Sequence, residues 1–175
     1  MENSSTSTVT TANAGVRYGL LAGIASAILS LVLYATNLEQ SPVRWVSMLV
    51  LAGAIFLAQQ FYKQNNSSFM SYGQGLGIGA MVGAISGLVS GVYTFVYTQF
   101  INPDFMATAL NKARTDMEAR GNLSDEQIEQ GLQMSSKFMD GPFLYIGAIL
   151  GTLFFAFLLA LVISAFTKHK RPEFE

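Results

Sequence analysis

The sequence predicts an all-α protein, an integral membrane four-helix bundle with an amphipathic helical hairpin between spans three and four. The 175-residue chain is 51% hydrophobic and only 12% charged, whereas an average soluble domain is about 25% charged. Four apolar segments reach spanning length, which needs about 20 residues, and the interior of each carries no charged side chain. Sixteen glycines exceed what soluble helices use, but small residues suit the close packing of membrane helices.

Composition also excludes several classes of function. The formal net charge is −1, so no overall positive field attracts a polyanion and no nucleic-acid partner is expected. The chain has no cysteine and one histidine, His169. Disulfides, thiol catalysis and the usual zinc sites are therefore excluded, and neither a cofactor nor a metal is expected.

The predicted organisation follows the apolar segments. Residues 1–14 form a polar tail expected to be disordered, 15–167 form the membrane domain, and 168–175 form a basic tail. Within the domain the predicted spans are 17–36, 43–62, 73–100 and 142–166. Aromatic side chains lie near their ends, as in the interfacial belts of membrane proteins. These side chains are Tyr18, Tyr34, Trp45, Tyr62, Tyr93, Tyr97 and Tyr145.

The orientation of the spans follows from charge. An even number of spans places both termini on one side of the bilayer. Lys168, Lys170 and Arg171 cluster directly after the last span, whereas bases on the opposite side are interspersed with acids. Because basic residues favour the cytoplasmic side, both termini are expected to be cytoplasmic.

An extramembrane helical hairpin is predicted over residues 103–140. Asn102 and Pro103 mark a helix break after span three, because proline lacks an N–H and restricts the residue before it. Gly121 is placed to end the first hairpin helix, and Ser124 with Gln127 to begin the second. One apolar side could rest on the bilayer, cap the bundle or dock a partner. The possible partner face comprises Leu110, Ile128, Leu132 and Phe138.

The clearest pattern is a glycine ladder in span three, where glycine recurs every four residues. This spacing keeps the glycines near one face of a helix, where they predict close helix packing. We expect span three to be central and to pack on span one or four; a homo-oligomer interface is the alternative. The predicted packing residues are Gly75, Gly79, Gly83, Gly87 and Gly91, with Gly19 and Gly23 in span one and Gly147 and Gly151 in span four.

The spans favour a non-enzymatic role. They hold hydroxyls and amides but no midplane ionisable group of the kind that transporters usually keep, and Gln59 and Gln60 are expected at the membrane interface. The leading hypothesis is a membrane subunit or scaffold whose hairpin meets a membrane-protein partner. The alternative is a homo-oligomeric transporter or channel for a small solute.

Several segments resemble a known bacterial family. They are YGLLAGIASAI in span one, FMSYGQGLGIGAMVG and FINPDF around span three, DEQIEQGLQ in the hairpin and the terminal KHKRPEF. Together they resemble the domain-of-unknown-function 4199 family over roughly residues 14–172. The resemblance implies a multi-pass protein of the cell inner membrane with four helices. It implies no assigned activity and supplies no catalytic or ligand residues.

Overall fold

A computed structural model describes residues 9–36, 38, 42–139 and 141–169, and no strand occurs within these ranges. The predicted tail residues 1–8 and 170–175 therefore lie outside the described residues. Six α-helices are formed in chain order. They are α1 (Thr11–Ala35), α2 (Val46–Gln64), α3 (Tyr72–Val96), α4 (Phe105–Arg120), α5 (Asp125–Met139) and α6 (Pro142–Thr167), with a 3-10 turn at Pro42–Trp45 and a π-helical turn at Tyr97–Ile101.

Four helical segments are long and apolar enough to cross a membrane. They are Thr11–Ala35, Val46–Gln64, Tyr72–Ile101 and Pro142–Thr167, with 25, 19, 30 and 26 residues. At about 1.5 Å per residue, each reaches close to the hydrocarbon thickness of a bilayer or exceeds it. The all-helical class and the four apolar helices agree with the sequence prediction.

The first helix begins earlier than predicted. The sequence predicts a disordered tail over residues 1–14, whereas α1 starts at Thr11. The Thr10 side chain accepts a hydrogen bond from the Asn13 N–H at 3.1 Å. This N-cap satisfies an N–H that has no partner within the helix, so the helix extends into the polar sequence.

The third apolar segment ends in a π-helical turn. The Asn102 N–H donates to the Tyr97 carbonyl at 2.7 Å, which is an i to i−5 bond. Asn102 then takes φ −136° and ψ 78°, outside the α region, as expected for a residue that precedes proline. The helix therefore ends directly before Asn102 and Pro103, and α4 begins at Phe105.

The chain divides into two compact units. The first comprises Met1–Ser90 and Ile149–Glu175, and the second comprises Gly91–Ala148. The boundaries between these residue ranges fall within the sequences of α3 and α6.

In the first unit the glycine ladder of α3 packs against α6. A Cβ atom built on Gly83 would lie 2.5 Å from the Ala156 Cβ, and one on Gly79 would overlap the Ala160 Cβ. On Gly87 it would lie 2.8 Å from the Ile149 carbonyl oxygen. Real Cβ contacts are longer than this, so glycine is what allows the two backbones to approach.

A different face of α3 receives the glycines of α1. A Cβ atom on Gly19 would lie 2.8 Å from the Ile85 Cβ, and one on Gly23 would lie 2.6 Å from the Val89 Cβ. Helix α3 therefore contacts α1 and α6 through separate faces. In the second unit Gly91, the last glycine of the predicted ladder, is buried.

Two predicted packing glycines do not occupy close contacts. A Cβ atom built on Gly147 or Gly151 would meet no described atom within 4 Å. The helical repeat explains why these two glycines lie away from α3. Gly151 lies five residues before Ala156, which is about 140° around the helix from the face that meets α3. Glycine content alone therefore selected the wrong face of α6.

The second unit contains the two polar helices α4 and α5. Gly121 has φ +66°, a left-handed conformation that glycine adopts readily, and ends α4. Ser124 and Gln127 then cap α5 reciprocally. The Ser124 N–H donates to the Gln127 Oε1, with a nitrogen–oxygen distance of 2.9 Å, and the Gln127 N–H donates to the Ser124 Oγ at 3.3 Å. Arg114 on α4 contacts Glu129 on α5 at 3.3 Å.

Candidate functional site

Four helix ends meet at one end of the first unit, here called the terminal end. It comprises the start of α1, the end of α2, the start of α3 and the end of α6. The Asn66 amide donates to the Val9 carbonyl at 3.0 Å. Met70 and His169 exchange backbone hydrogen bonds of 2.9 and 2.8 Å. The first bond joins the segment before α1 to the α2–α3 connection, and the other two join the segment after α6 to it.

A buried polar cluster lies just inside the terminal end. The Gln59 side chain is fully buried, and its Nε2 donates to the Gly75 carbonyl at 3.1 Å and to the Ser164 Oγ at 2.9 Å. Its Oε1 accepts from the Thr167 hydroxyl. One amide thus connects α2, α3 and α6. The sequence predicted the polarity of this position at the end of α2 but not its burial between helices.

The neighbouring cations are also held by specific contacts. The Lys63 ammonium donates to the Thr167 carbonyl at 3.1 Å, at the last residue of α6. A cation at a helix C-terminus satisfies a carbonyl without an intrahelical partner and interacts favourably with the helix dipole. The Arg17 guanidinium lies 5.0 Å from the centroid of the Phe61 ring, and the Lys168 ammonium lies 6.0 Å from that of Tyr72.

A cleft of about 410 Å³ opens at the terminal end. We call it the terminal cleft. The His169 ring stacks on Phe69 at one wall, with centroids 5.6 Å apart and an angle of 22°. At another wall Ser71 and Gln74 cap α3 reciprocally, at 2.8 and 3.2 Å. The lining residues are Tyr62, Asn66, Phe69, Met70, Ser71, Gln74 and His169.

The predicted partner face is divided between the interior and the surface of the second unit. Ile128 is 4% exposed, so it belongs to the interior and cannot form part of an exposed face. Leu110 and Leu132 are half-buried and line a groove of about 260 Å³ with residues of both α4 and α5. Of these four residues, only Phe138 is exposed, at 64%.

Within the described ranges, no three His, Cys, Asp or Glu side chains come together in a way that could hold a metal ion. The polar groups that do converge are neutral: an amide, two hydroxyls and a backbone carbonyl. This set can donate and accept hydrogen bonds between helices, and within the described part of the chain no buried side-chain nitrogen or oxygen lacks a partner.

A comparison with models of known protein families shows the family to which the chain belongs. Residues 17–169 match the model of a protein family of unknown function, DUF4199. The chain belongs to the DUF4199 family. No curated protein and no solved structure matches it.

For this DUF4199 chain, sequence reasoning missed the face of α6 that meets the ladder. That face carries Ala156, Ala160 and Ser164, all buried and spaced four residues apart. The same spacing that identifies a glycine ladder would have found them if alanine and serine had been counted as small residues. Thr167 follows Ser164 by three residues, so both hydroxyls reach Gln59.

Proposed function

We propose that this DUF4199 chain is a multi-pass protein of the inner membrane with cytoplasmic termini, and that it is a non-enzymatic subunit or scaffold. In this proposal the α4–α5 pair lies outside the bilayer and docks a membrane-protein partner. The observation that carries the proposal is the exposure of two large apolar side chains on α5. Met134 and Phe138, four residues apart and so on one face, are 65% and 64% exposed.

The contacts of the helix pair support this docking role. Ile128 supplies a buried apolar contact, and Arg114 contacts Glu129 across the two helices. Met134 and Phe138 remain exposed beyond these contacts. Methionine and aromatic side chains are enriched in protein interfaces, where their burial supplies much of the binding energy.

The polar groups of the apolar helices support a structural role over solute transport. The Ser86 hydroxyl donates to the Val82 carbonyl of its own helix at 2.7 Å. The Thr98 hydroxyl likewise donates to the Thr94 carbonyl at 2.9 Å. The Gln59 side chain of α2 donates hydrogen bonds to Gly75 of α3 and Ser164 of α6. Such bonds join or brace helices, whereas a transport path needs polar groups that face a solute or water.

Copurification from native membranes tests the proposal. The tagged full-length chain is extracted without detergent and its companions are quantified by mass spectrometry. We expect one membrane protein in a fixed molar ratio to the chain. That companion should be lost when Met134→Glu and Phe138→Glu are combined, since charge opposes burial of the apolar pair.

The matched control adds the same charge on another face of α5. Combined Gln133→Glu and Ser136→Glu should retain the companion. A pure self-oligomer, or a companion that both double variants lose equally, would contradict docking through Met134 and Phe138.

A further inference from the structure

The terminal end is positively charged and has no acid near it in the described structure. Its described cations are Arg17, Lys63 and Lys168, and His169 lies beside them. Residues 9–36, 38, 42–90 and 149–169, the described part of the first unit, include no aspartate or glutamate. The acids of that unit's sequence, Glu2, Glu39, Glu173 and Glu175, lie outside the described residues. Unlike Arg114 of α4, which is paired with acids, the cations of this end have no acidic side chain to pair with among the described residues of the unit.

The terminal cleft supplies hydrogen-bond donors within this positive region. The carboxamide oxygen of Gln74 accepts from the Ser71 N–H, which fixes the side chain and leaves its amide nitrogen as a donor. The Ser71 oxygen accepts from the Gln74 N–H, so its own hydrogen is also available. The exposed ring of His169 adds an N–H group.

Exposed and buried apolar side chains occur at the same helix ends as these donors. Phe166 precedes His169 by three residues and is 86% exposed, the largest exposure among the described bulky apolar side chains. The cleft itself contains the rings of Tyr62 and Phe69. Positive charge, neutral donors and apolar surface thus occur together at the ends of helices that are long enough to span a bilayer.

We infer that the terminal cleft binds the phosphate group of an anionic phospholipid. Ser71, Gln74 and His169 donate to the phosphate oxygens, Arg17 and Lys168 attract its net negative charge, and the acyl chains lie along the apolar surface near Phe166. A free phosphate ion shares the headgroup chemistry but not the acyl chains, so the apolar surface selects the lipid. The inference rests on the membrane placement proposed above and is independent of the partner of α5.

Thermal unfolding of the full-length chain in neutral detergent micelles tests the site, with helical circular dichroism as the readout. A ligand that binds only the folded state raises the midpoint temperature. Dioleoylphosphatidylglycerol should raise it saturably. Dioleoylphosphatidylcholine and inorganic phosphate at the same concentrations should not. An equal rise with phosphatidylcholine would contradict anion recognition, and an equal rise with inorganic phosphate would contradict a lipid as the ligand.

Removing the charge should weaken binding without disturbing the fold, because Arg17 and Lys168 are exposed. Each basic residue near an anionic lipid surface contributes about a fivefold gain in affinity. Combined Arg17→Gln and Lys168→Gln should therefore raise the half-maximal phosphatidylglycerol concentration about 25-fold. The control, combined Arg120→Gln and Lys137→Gln in the second unit, should leave it within about twofold of the wild-type value.

A variant that fills the cleft at constant charge separates a specific site from diffuse attraction. Gln74→Trp should abolish the saturable rise in midpoint, whereas Gln133→Trp, in the groove of the second unit, should preserve it. If Gln74→Trp responds to phosphatidylglycerol as wild type does, the cleft is not the site. In that case sedimentation of the chain with membranes would still support the membrane placement, so the two failures are distinguishable.

Discussion

Gln59 shows how one residue can connect three apolar helices. A buried amide without partners would cost several kcal/mol, but here both ends of the carboxamide are bonded. Its nitrogen donates to Gly75 and Ser164, and its oxygen accepts from Thr167. The Gly75 contact also needs close approach, because a Cβ atom there would lie 2.6 Å from the Ser164 Oγ. Packing and hydrogen bonding therefore depend on each other at this point.

Replacing Gln59 with leucine should lower the free energy of unfolding. Hydrogen bonds between membrane helices contribute about 0.6 kcal/mol on average, so losing this set should cost about 1–2 kcal/mol. Gln60→Leu, at the half-buried neighbour, should change stability by less than about 0.5 kcal/mol. Both are measured by reversible denaturation in mixed micelles. Equal effects of the two variants would show that the buried amide has no special role.

At the same scale, the sequence predicted polarity but not burial. Two consecutive glutamines near the end of an apolar helix suggest an interface with water, and this is a sound inference for an isolated helix. Whether Gln59 or Gln60 faces inward depends on what lies opposite, and the opposing Ser164 and Thr167 are 105 and 108 residues away in sequence. The sequence of α2 alone therefore could not show which of the two glutamines is buried.

Among the helices, α3 is the element that organises the first unit. Its glycines meet α6 on one face, and its branched side chains meet the glycines of α1 on another. Small residues therefore serve both contacts of α3. Glycines of α3 itself allow the approach of α6, and glycines of α1 make room for the branched side chains of α3. Gly77 provides an internal reference, because it is exposed and a Cβ atom there would meet no described atom within 4 Å.

Alanine substitutions at Gly83 and Gly77 should have opposite signs. Gly83→Ala places a Cβ atom 2.5 Å from Ala156 and 3.2 Å from the Leu153 Cα, so overpacking should cost about 1–3 kcal/mol. Gly77→Ala removes a flexible residue from a helix and fills open space, so it should stabilise by up to about 1 kcal/mol. Midpoints of thermal unfolding in detergent rank the two. Destabilisation by both, or by neither, would contradict the assigned faces.

In the α4–α5 pair we expect apolar burial to outweigh the ion pairs. Ile128→Ala removes a side chain that is 4% exposed and should cost about 2–4 kcal/mol. Arg114→Gln breaks contacts with Glu118 and Glu129, but these side chains are 52–59% exposed, so the cost should stay below about 1 kcal/mol. Proteolysis within residues 105–139 reports the difference. Faster cleavage in Arg114→Gln than in Ile128→Ala would reverse this ranking.

The sequence predicted the apolar helices better than their contacts. Length and hydrophobicity are local properties, so the four apolar helices could be found directly. Gly79, Gly83 and Gly87, which share the four-residue spacing, lie where α3 closely approaches α6. The partner face of α6 was missed because Phe and Leu surround its small residues and its glycines lie elsewhere, at Gly147 and Gly151. Likewise, a helical wheel placed Ile128 on an apolar face but could not show that the face is internal.

For the whole molecule, the proposed topology rests on the even number of apolar helices and on the bases that follow the last of them in sequence. Reporter domains fused after Glu175 and inserted at Gly121 should lie on opposite sides of the membrane. The fusion at Glu175 should report the cytoplasm, since Lys168, Lys170 and Arg171 favour that side. Signals from the same side would contradict the four-span arrangement.

The central claim is that α3 and α6 of the same chain pack through small residues, and a size exchange tests it most directly. Gly79→Ala should destabilise, because the new Cβ atom would overlap the Ala160 Cβ. Adding Ala160→Gly in the same chain removes that obstacle and should recover most of the lost thermal stability. Mixing a Gly79→Ala chain with an Ala160→Gly chain should recover nothing. Additive destabilisation in the double variant, or recovery only on mixing, would contradict the claim.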